Sequence, residues 1–536
     1  MKELYNGLRI FWGDSHLNVH GEDIFFPPLT SERLDRIFEE AKRHLDFLMI
    51  AYYPFKWYSK KGFVFESKGP AGQFIEEWRL IQEAVAKWNK PGEFVTFLGY
   101  EWPGDRKRYG DHNVYYLKDY EPLDYSESLL ELYRRLKSTD AIVIPHHTAY
   151  RVGERGKDWN YFDEDLTPFV EVYSSHGSSE GLHGLPFLDR IPAMGPSSLE
   201  GSVLEGLNRG YKFGIIASGD NHADYAGVWG NGLMAVFAEE LTREALWKAF
   251  KMRRVYGVTG DRIKLYFSIN NHIIGDCFRI RSQPTITVEA VGSEAIDRIE
   301  VIRNGRVVHV YSHLTSHNRL EERKEVIRVK LRIICGWGPG EPYKFKKIEP
   351  KKWVGHLSVS DGRIVSVEPC FTYFGQRIRR VSEKRYDFAF LTQPRYPLNP
   401  LLALHHQSNF QGAVFELEAP LRSIIEIRVN SETLKFRVEE ALMMDRIIAF
   451  SEEAEKLLYE QFEISSKEIN PDVYWHNSWK MKICKAVPEE EYRARFNWID
   501  ENFDEFSGSS AYYYVRVIQV NGQMAWSSPI WVKKVY

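Results

Sequence analysis

Residues 129–147 read L-L-E-L-Y-R-R-L-K-S-T-D-A-I-V-I-P-H-H. Leu129, Leu130, Leu132, Tyr133 and Leu136 recur at helical spacing, and Ala141 to Ile144 is an unbroken apolar run ending at two histidines. A helix followed by a strand apolar at every position fits a sheet covered by helices. The unit repeats outward. Leu34, Ile37, Phe38, Ala41 and Leu45 precede the run Phe47 to Ile50, and Phe74, Trp78, Ile81, Val85 and Trp88 precede Phe94 to Leu98. Phe169 to Tyr173 and Phe213 to Ala217 are two more strand-like runs, and Thr242 to Met252 reads as a helix. So many units within residues 1–258 predict an α/β fold with a parallel sheet, closing as a barrel.

From about Asp261 the rhythm changes to period two. Asn304-Gly305, Asp361-Gly362 and Asn521-Gly522 each lie between alternating runs, the signal of a hairpin turn. Val414 to Val438 alternates in the same way, and Glu452 to Phe462 is a helical interruption. Residues 259–536 are therefore expected to be all-β, a mainly antiparallel β-sandwich region of one or two subdomains.

Seventy-one basic against seventy-four acidic side chains leave a formal charge of −3, which gives no indication of nucleic-acid binding. Cys277, Cys335, Cys370 and Cys484 form no C-x-x-C pair, so neither a disulfide scaffold nor a thiolate zinc site is expected. The opening residues hold no signal-peptide run, and no apolar window is long enough to span a bilayer. These features predict a cytoplasmic protein; an oligomer is compatible with them.

Residues able to bind metal follow the expected strands. They are Asp14, His16, Asn18 and His20; Glu101 and His112; His146 and His147; Glu171 and His176; and Asp220 and His222. In a barrel the C-terminal strand ends converge on one face, so such residues can share a pocket. Imidazole with carboxylate suits Zn²⁺, Mn²⁺ or Fe²⁺. One histidine after a strand is ordinarily structural, but five or more strand ends bearing His, Glu or Asp point to a metal site. His44 and His183 are expected at the surface. Arg106, Lys107 and Arg108, with Arg151, Arg155 and Lys157, make two basic loops on the same face. Tyr52, Tyr53, Phe55, Trp57 and Tyr58 form an aromatic cluster that suits a core-covering lid or a pocket wall.

The segments F-W-G-D-S-H (11–16), F-L-G-Y-E-W (97–102), V-I-P-H-H (143–147), V-E-V-Y-S-S-H-G (170–177) and S-G-D-N-H (218–222), in this order, resemble the PHP (polymerase and histidinol phosphatase) superfamily of metal-dependent phosphoesterases. The branch labelled DUF3604, which carries an extra C-terminal β domain, is the most similar. The ending Y-Y-Y-V-R-V-I-Q-V-N-G-Q-M-A-W-S-S-P-I-W-V resembles that branch's C-terminus. The resemblance implies a distorted (β/α)7 barrel. It places one ion on His16, Glu101 and Asp220, and bridges Glu101 to a second ion on His146 and His176. It gives His222 to a third site. Two positions depart from the pattern. Asn18 stands where the superfamily's H-x-H motif has its second histidine, and D-F-L-M-I-A-Y-Y (46–53) carries Tyr52 and Tyr53 where T-D-H is usual. A neutral phenol is a poor ligand. His20 is a candidate replacement, and one or two divalent ions are expected rather than three.

The resulting expectation is a metal-dependent hydrolase, most simply a phosphoesterase using a metal-activated water. Asp220, His222 or His112 would move the proton, and Arg106, Arg108, Arg151 and Arg155 would attract a small phosphorylated substrate. The alternatives are an amidohydrolase-type enzyme cleaving C–N bonds, which basic-loop neutralisation would barely affect, and a degenerate barrel with a binding role, which would lack stoichiometric metal.

Overall fold

A computed structural model describes residues 4–68, 71–181, 197–313, 325–340, 344–345, 348–394, 410–503 and 508–535. His183 lies outside them. The fold is mixed α/β with much sheet.

The N-terminal elements are β1 (Arg9–His20), α1 (Ser31–Lys42), β2 (Phe47–Tyr53), β3 (Phe55–Lys60), β4 (Phe63–Lys68), α2 (Ala71–Trp88), β5 (Val95–Glu101), α3 (Arg106–Tyr109), β6 (His112–Tyr116), α4 (Leu129–Leu136) and β7 (Ala141–Pro145). They continue with β8 (Phe169–Ser174), β9 (Gly177–Ser178), α5 (Val203–Asn208), β10 (Gly214–Ala217), β11 (Leu233–Ala238), α6 (Arg243–Lys251) and β12 (Val255–Val258). The hydrogen-bonded order is β7-β6-β5-β2-β1-β11-β12, and β10-β8-β9 form a separate ladder.

Side-chain alternation divides this sheet between two cores. Leu48, Ile50, Leu98, Tyr100, Val114 and Val143 pack with the apolar faces of α1, α2 and α4. The intervening residues Phe47, Met49, Val95, Phe97, Ile142 and Ile144 join Phe169, Ile216, Met234 and Val236 in a second cluster, filled by Trp247 and Phe250 of α6. Both faces are thus buried, which explains the unbroken apolar strands.

Strand direction differs in part from expectation. β1–β2, β2–β5 and β8–β10 are parallel, but β5–β6, β6–β7, β1–β11 and β11–β12 are antiparallel. Between β5 and β6 the connection is residues 102–111 with the single turn α3, shorter than the dozen or so residues a parallel crossover needs.

The chain does not divide at 258/259. One compact unit comprises residues 1–291, 296–313 and 494–536; the other comprises 292–295 and 314–493. The reason is strand addition. β12 pairs with the strand Met524–Ser527, which pairs with Ser510–Gln519, and that strand pairs with Ile296–Arg303. The C-terminal strands between Ser510 and Lys534 therefore extend the sheet that begins at the N-terminus.

Among the described residues the second unit holds two sheets, of six and five strands, built from antiparallel pairs such as Val326–Trp337 with Gln411–Pro420 and Lys351–Val359 with Arg385–Thr392. The rings of Tyr386 and Phe415 meet between these sheets, 6.4 Å apart. The helix at Ser451–Phe462 matches expectation. Asn304-Gly305 does turn a hairpin, with φ values of 47° and 73°. Asp361-Gly362 does not: Lys351–Val359 and Arg363–Cys370 lie in different sheets. Gly362 (φ 95°) is needed because a Cβ there would sit 2.2 Å from the Glu418 carbonyl oxygen as the chain crosses over.

Candidate metal centre

β1 places the first site residues. Its pairing with β2 slips between Asp14 and Leu17, and such a bulge re-aims the side chains around it, here including His16. The same strand end is bonded to the loop after β10, through Asn18 N–H to the Asn221 carbonyl (2.9 Å). The Asp14 carboxylate accepts the amide N–H groups of His16 (3.0 Å), Gly219 (2.9 Å) and Gly227 (2.8 Å), which fixes strand and loop together. Asp220 and His147 both adopt positive φ, 46° and 33°. Such backbone is costly outside glycine and collects at functional sites.

Asp220 is the hub. Its Oδ1 lies 3.5 Å from His16 Nε2 and 3.4 Å from His222 Nε2, and its Oδ2 lies 3.0 Å from His176 Nε2. His16 Nδ1 is 3.2 Å from Glu171 Oε2. Two candidate ligand groups result, one of His16, His146, Glu171 and Asp220, the other of His147, His176 and Asp220, each with its donor atoms within 4.8 Å of one another. They share Asp220.

The decisive feature is His146. Its ring is buried against His16 (centroids 4.3 Å apart) and His147 (4.4 Å), yet neither ring nitrogen has a hydrogen-bond partner. His16 Nε2 is likewise unsatisfied. Orphaned polar atoms of this kind each cost about 1–3 kcal/mol when buried. Buried imidazole lone pairs beside carboxylates match the donor chemistry of a borderline divalent cation. The residues present fit such an ion.

Charge is unevenly distributed here. Burial opposes protonation of His16, but Asp220, Glu101 and Glu171 outweigh it and hold its pKa well above the ordinary value. Burial similarly opposes ionisation of Asp220, which His16 and His176 overcome, keeping the carboxyl well below its usual range. Burial drives His146 well below the ordinary value, with His16 and His147 adding to it, and drives His147 down to about 3. His146 and His147 are thus neutral and able to ligate, while His16 would give up its proton to a bound ion.

The other residues expected at the site divide clearly. Glu101 lies beside the cluster, 3.9 Å from His16 Nε2, but its Oε1 accepts from Arg106 (3.0 Å), so it is engaged with that cation. Asn18, His20 and His222 form a chain: Asn18 Nδ2 is 3.0 Å from His222 Nε2, and His222 Nδ1 is 2.7 Å from His20 Nε2. Asn18 Nδ2 also donates to Asp220 Oδ1 (3.2 Å). His112 is outside both groups. Its Nδ1 faces the Gly110 carbonyl (2.9 Å) and its Nε2 faces Lys157 Nζ (3.1 Å), so the expected proton-transfer role does not fit its position.

Among the basic residues, Arg106 and Arg155 are already neutralised. Arg106 meets Glu66 (2.9 Å) as well as Glu101, and Arg155 donates to both oxygens of Asp111 (2.7 and 3.0 Å). Guanidinium groups paired in this way have little charge left for a substrate. Arg108 and Arg151 remain exposed, bonded to the Tyr161 hydroxyl and to Glu154 respectively. Tyr52 and Tyr53 donate their hydroxyls to Glu77 (2.5 Å) and Glu66 (2.6 Å) and belong to neither ligand group, although the Tyr53 ring packs on His20 (4.6 Å) and His222 (5.2 Å). His44 is also a correction: it is buried, stacked on Tyr225 (5.4 Å), because α1 ends against the loop that carries Ala226.

Glu171 and His147, both among the metal-capable strand-end residues, are absent from the ligand set that the resemblance implies but belong to the two groups here. Glu171 was legible as a carboxylate in the middle of the apolar run F-V-E-V-Y, where burial demands a partner. It finds His16, the Ser218 hydroxyl and the His147 amide (3.1 Å). Nothing in the sequence singled out Asp111, whose buried carboxylate faces Arg155, Arg106 and His147.

Fold and site together define a mixed α/β protein with a buried His/Asp/Glu centre suited to divalent metal. Residues 226–276 match the family described as a protein of unknown function (DUF3604). An uncharacterized protein of Chlamydia pneumoniae is 30% identical over 257 residues, covering 44% of this chain and 40% of that protein. One from Chlamydia muridarum is 27% identical over 259 residues, covering 44% and 41%. The match thus spans about two fifths of the length of these relatives. Among solved structures, a two-domain protein containing a predicted PHP-like metal-dependent phosphoesterase from Bacteroides vulgatus is 12% identical, with a TM-score of 0.31 over 81% of this chain and 95% of that one. A likeness of that degree says nothing about chemistry. No helix among the described residues is long and apolar enough to cross a membrane.

Proposed function

We propose that this protein is a metal-dependent hydrolase acting on phosphoesters, built on a distorted PHP-type barrel with its centre at the C-terminal strand ends. The observation carrying this reading is the buried, unpartnered imidazole of His146 among His16, Glu171 and the shared Asp220. His16, His146, Glu171 and Asp220 would hold one divalent ion, and His147, His176 and Asp220 a second. A bound divalent ion supplies Lewis acidity and an activated water near neutral pH. Asp220 orients both ligand groups. The Asn18–His222–His20 chain reaches the same carboxylate and contains the partly exposed His222, so it is the route by which a proton would reach a leaving group. Asn18 and His20 engage both nitrogens of His222, which speaks for two ions rather than three. Arg108 and Arg151, with Lys107, are exposed cations of the two loops that would steer a small phosphorylated substrate.

A screen of phosphomonoesters and phosphodiesters with Mn²⁺, Zn²⁺ and Fe²⁺ tests this. Turnover should require added metal and fall by at least about 100-fold in His146→Ala, given what one ligand contributes. Metal-independent turnover, or full activity in that variant, would overturn it. The pairing of Arg106 and Arg155 with acids favours a second reading, hydrolysis of a less anionic substrate at a C–N bond. Turnover of amides but not phosphoesters by the same metal-loaded protein would select it.

A further inference from the structure

His176 sits at the tip of a very short hairpin. β8 and β9 pair only as Tyr173 with Ser178 and Ser174 with Gly177, leaving Ser175 and His176 as the turn. A return arm of two residues cannot hold itself, since even complete two-stranded hairpins are marginal in water. Contacts from outside the arm set its position: Tyr150 Oη meets His176 Nδ1 (2.8 Å), and just past the arm Ser179 donates its N–H to the Val172 carbonyl (2.7 Å) while its hydroxyl accepts from the Ala149 amide (3.2 Å).

The anchor that ties this segment to distant strands is Glu180, buried and four residues beyond His176. Tyr514 donates its hydroxyl to Oε1 (2.7 Å), while Arg516 Nη1 (2.7 Å) and Trp526 Nε1 (3.0 Å) both donate to Oε2. All three donors come from the C-terminal strands Ser510–Gln519 and Met524–Ser527. The Trp526 ring also stacks on Tyr173, on the outgoing arm of the same hairpin (5.9 Å, 21°). Arg516 is held in turn by Glu300 (2.8 Å). Three donors on one carboxylate in a water-poor site make a strong, directional anchor.

We infer that the C-terminal strands complete the metal centre, with Glu180 as a positioning residue that fixes the His176 turn through Tyr514, Arg516 and Trp526. The inference rests on the reading of His176 as a ligand and adds that residues more than 330 positions away set where that ligand stands. Ser175 makes the connection tighter, because its hydroxyl donates to the Asp220 carbonyl (3.0 Å).

A double-mutant cycle in the full-length protein tests this, with Mn²⁺ titrated into chelator-treated protein by calorimetry and the thermal midpoint recorded in parallel. Glu180→Ala should weaken Mn²⁺ binding about 10- to 100-fold, the range usual for residues that orient a ligand. Tyr514→Phe, which deletes one hydroxyl, should give a smaller loss in the same direction. In a His176→Ala background both losses should vanish, since the residue they act through is gone. The inference is overturned if Glu180→Ala and Tyr514→Phe leave Mn²⁺ affinity unchanged while His176→Ala lowers it. It is overturned equally if the losses persist on His176→Ala, which would make Glu180 a general prop of the fold. Should Glu180→Ala not fold, the Tyr514→Phe cycle decides alone. Silence of His176→Ala itself would instead refute the ligand assignment, a result separable from the others.

Discussion

The imidazole of His146 and that of His44 are both buried, and the difference between them shows what burial alone implies. His44 faces carbonyl oxygens at both ring nitrogens, Glu40 at 3.0 Å and Ala226 at 3.1 Å, so whichever nitrogen carries the proton of the neutral ring has an acceptor within the protein. His146 has none. Replacing His146 by Leu removes two unsatisfied atoms, so the metal-free protein should keep its stability or gain about 1 kcal/mol, while Mn²⁺ affinity falls at least tenfold. Urea unfolding with chelator present, beside a metal titration, checks both halves. Destabilisation above about 2 kcal/mol with intact binding would refute the assignment. His44 gives a pH prediction. Burial and the nearby Arg262 depress its pKa to about 4, so the folded protein keeps it neutral while the unfolded chain takes up a proton below about 6.5. Stability from this residue is full above pH 6.5 and is lost as pH falls towards 4, by about 3 kcal/mol at most. The stability difference between native protein and His44→Gln should shrink by that order between pH 7 and 4, with Mn²⁺ stoichiometry unaltered at pH 7. A pH-independent difference would contradict the buried neutral state.

At the scale of elements, the side of the site that holds His16 and Asp220 depends on the join between the bulge of β1 and the loop after β10. Gly219 makes it possible: a Cβ there would lie 2.4 Å from Asp14 Oδ2, the carboxylate that ties the two segments together. Gly219→Ala should therefore cost about 1–3 kcal/mol through overpacking and also weaken metal binding, because Asp220 is the next residue. Gly72→Ala, where a Cβ meets nothing within 4 Å in α2, should be neutral or slightly stabilising. Thermal unfolding and metal titration of the pair provide the comparison, and equal behaviour would remove Gly219 from the account. Periodicity made the helices and apolar strands readable, since it records burial of one face or two. Pairing partners were not readable: Asn304-Gly305 and Asp361-Gly362 carry the same local signal, yet only the first joins neighbours in one sheet.

At the scale of the whole chain, residues 314–493 are an insertion in a unit formed by the segments on either side of them. Within that unit the flanking strands are neighbours: His309 stacks on Trp498 (4.8 Å) and Tyr311 on Phe496 (4.7 Å). Joining His313 to Ala494 by a short Gly-Ser linker should give a folded protein that still binds Mn²⁺, because insertions whose ends lie close are tolerated. Deleting residues 494–536 should instead abolish soluble expression, as it removes the partner of β12 and exposes a sheet edge. Circular dichroism and metal titration of the excised protein, with a solubility assay of the truncation, check both. An unfolded excision product or a well-folded truncation would show the division to be wrong.

By itself the sequence determined which segments are apolar on every residue, where their periodicity changes, and which acids and imidazoles stand at strand ends. Those are local properties, set by the repeat of helix and strand. Only the tertiary structure decided that Glu171 sits in the His16 group while Glu101 answers Arg106, that His112 stays outside, and that the C-terminal strands belong with the N-terminal sheet. Each of these is a contact between residues distant in the chain, chosen by competition among buried charges for the same partners, and no local pattern records which competitor wins.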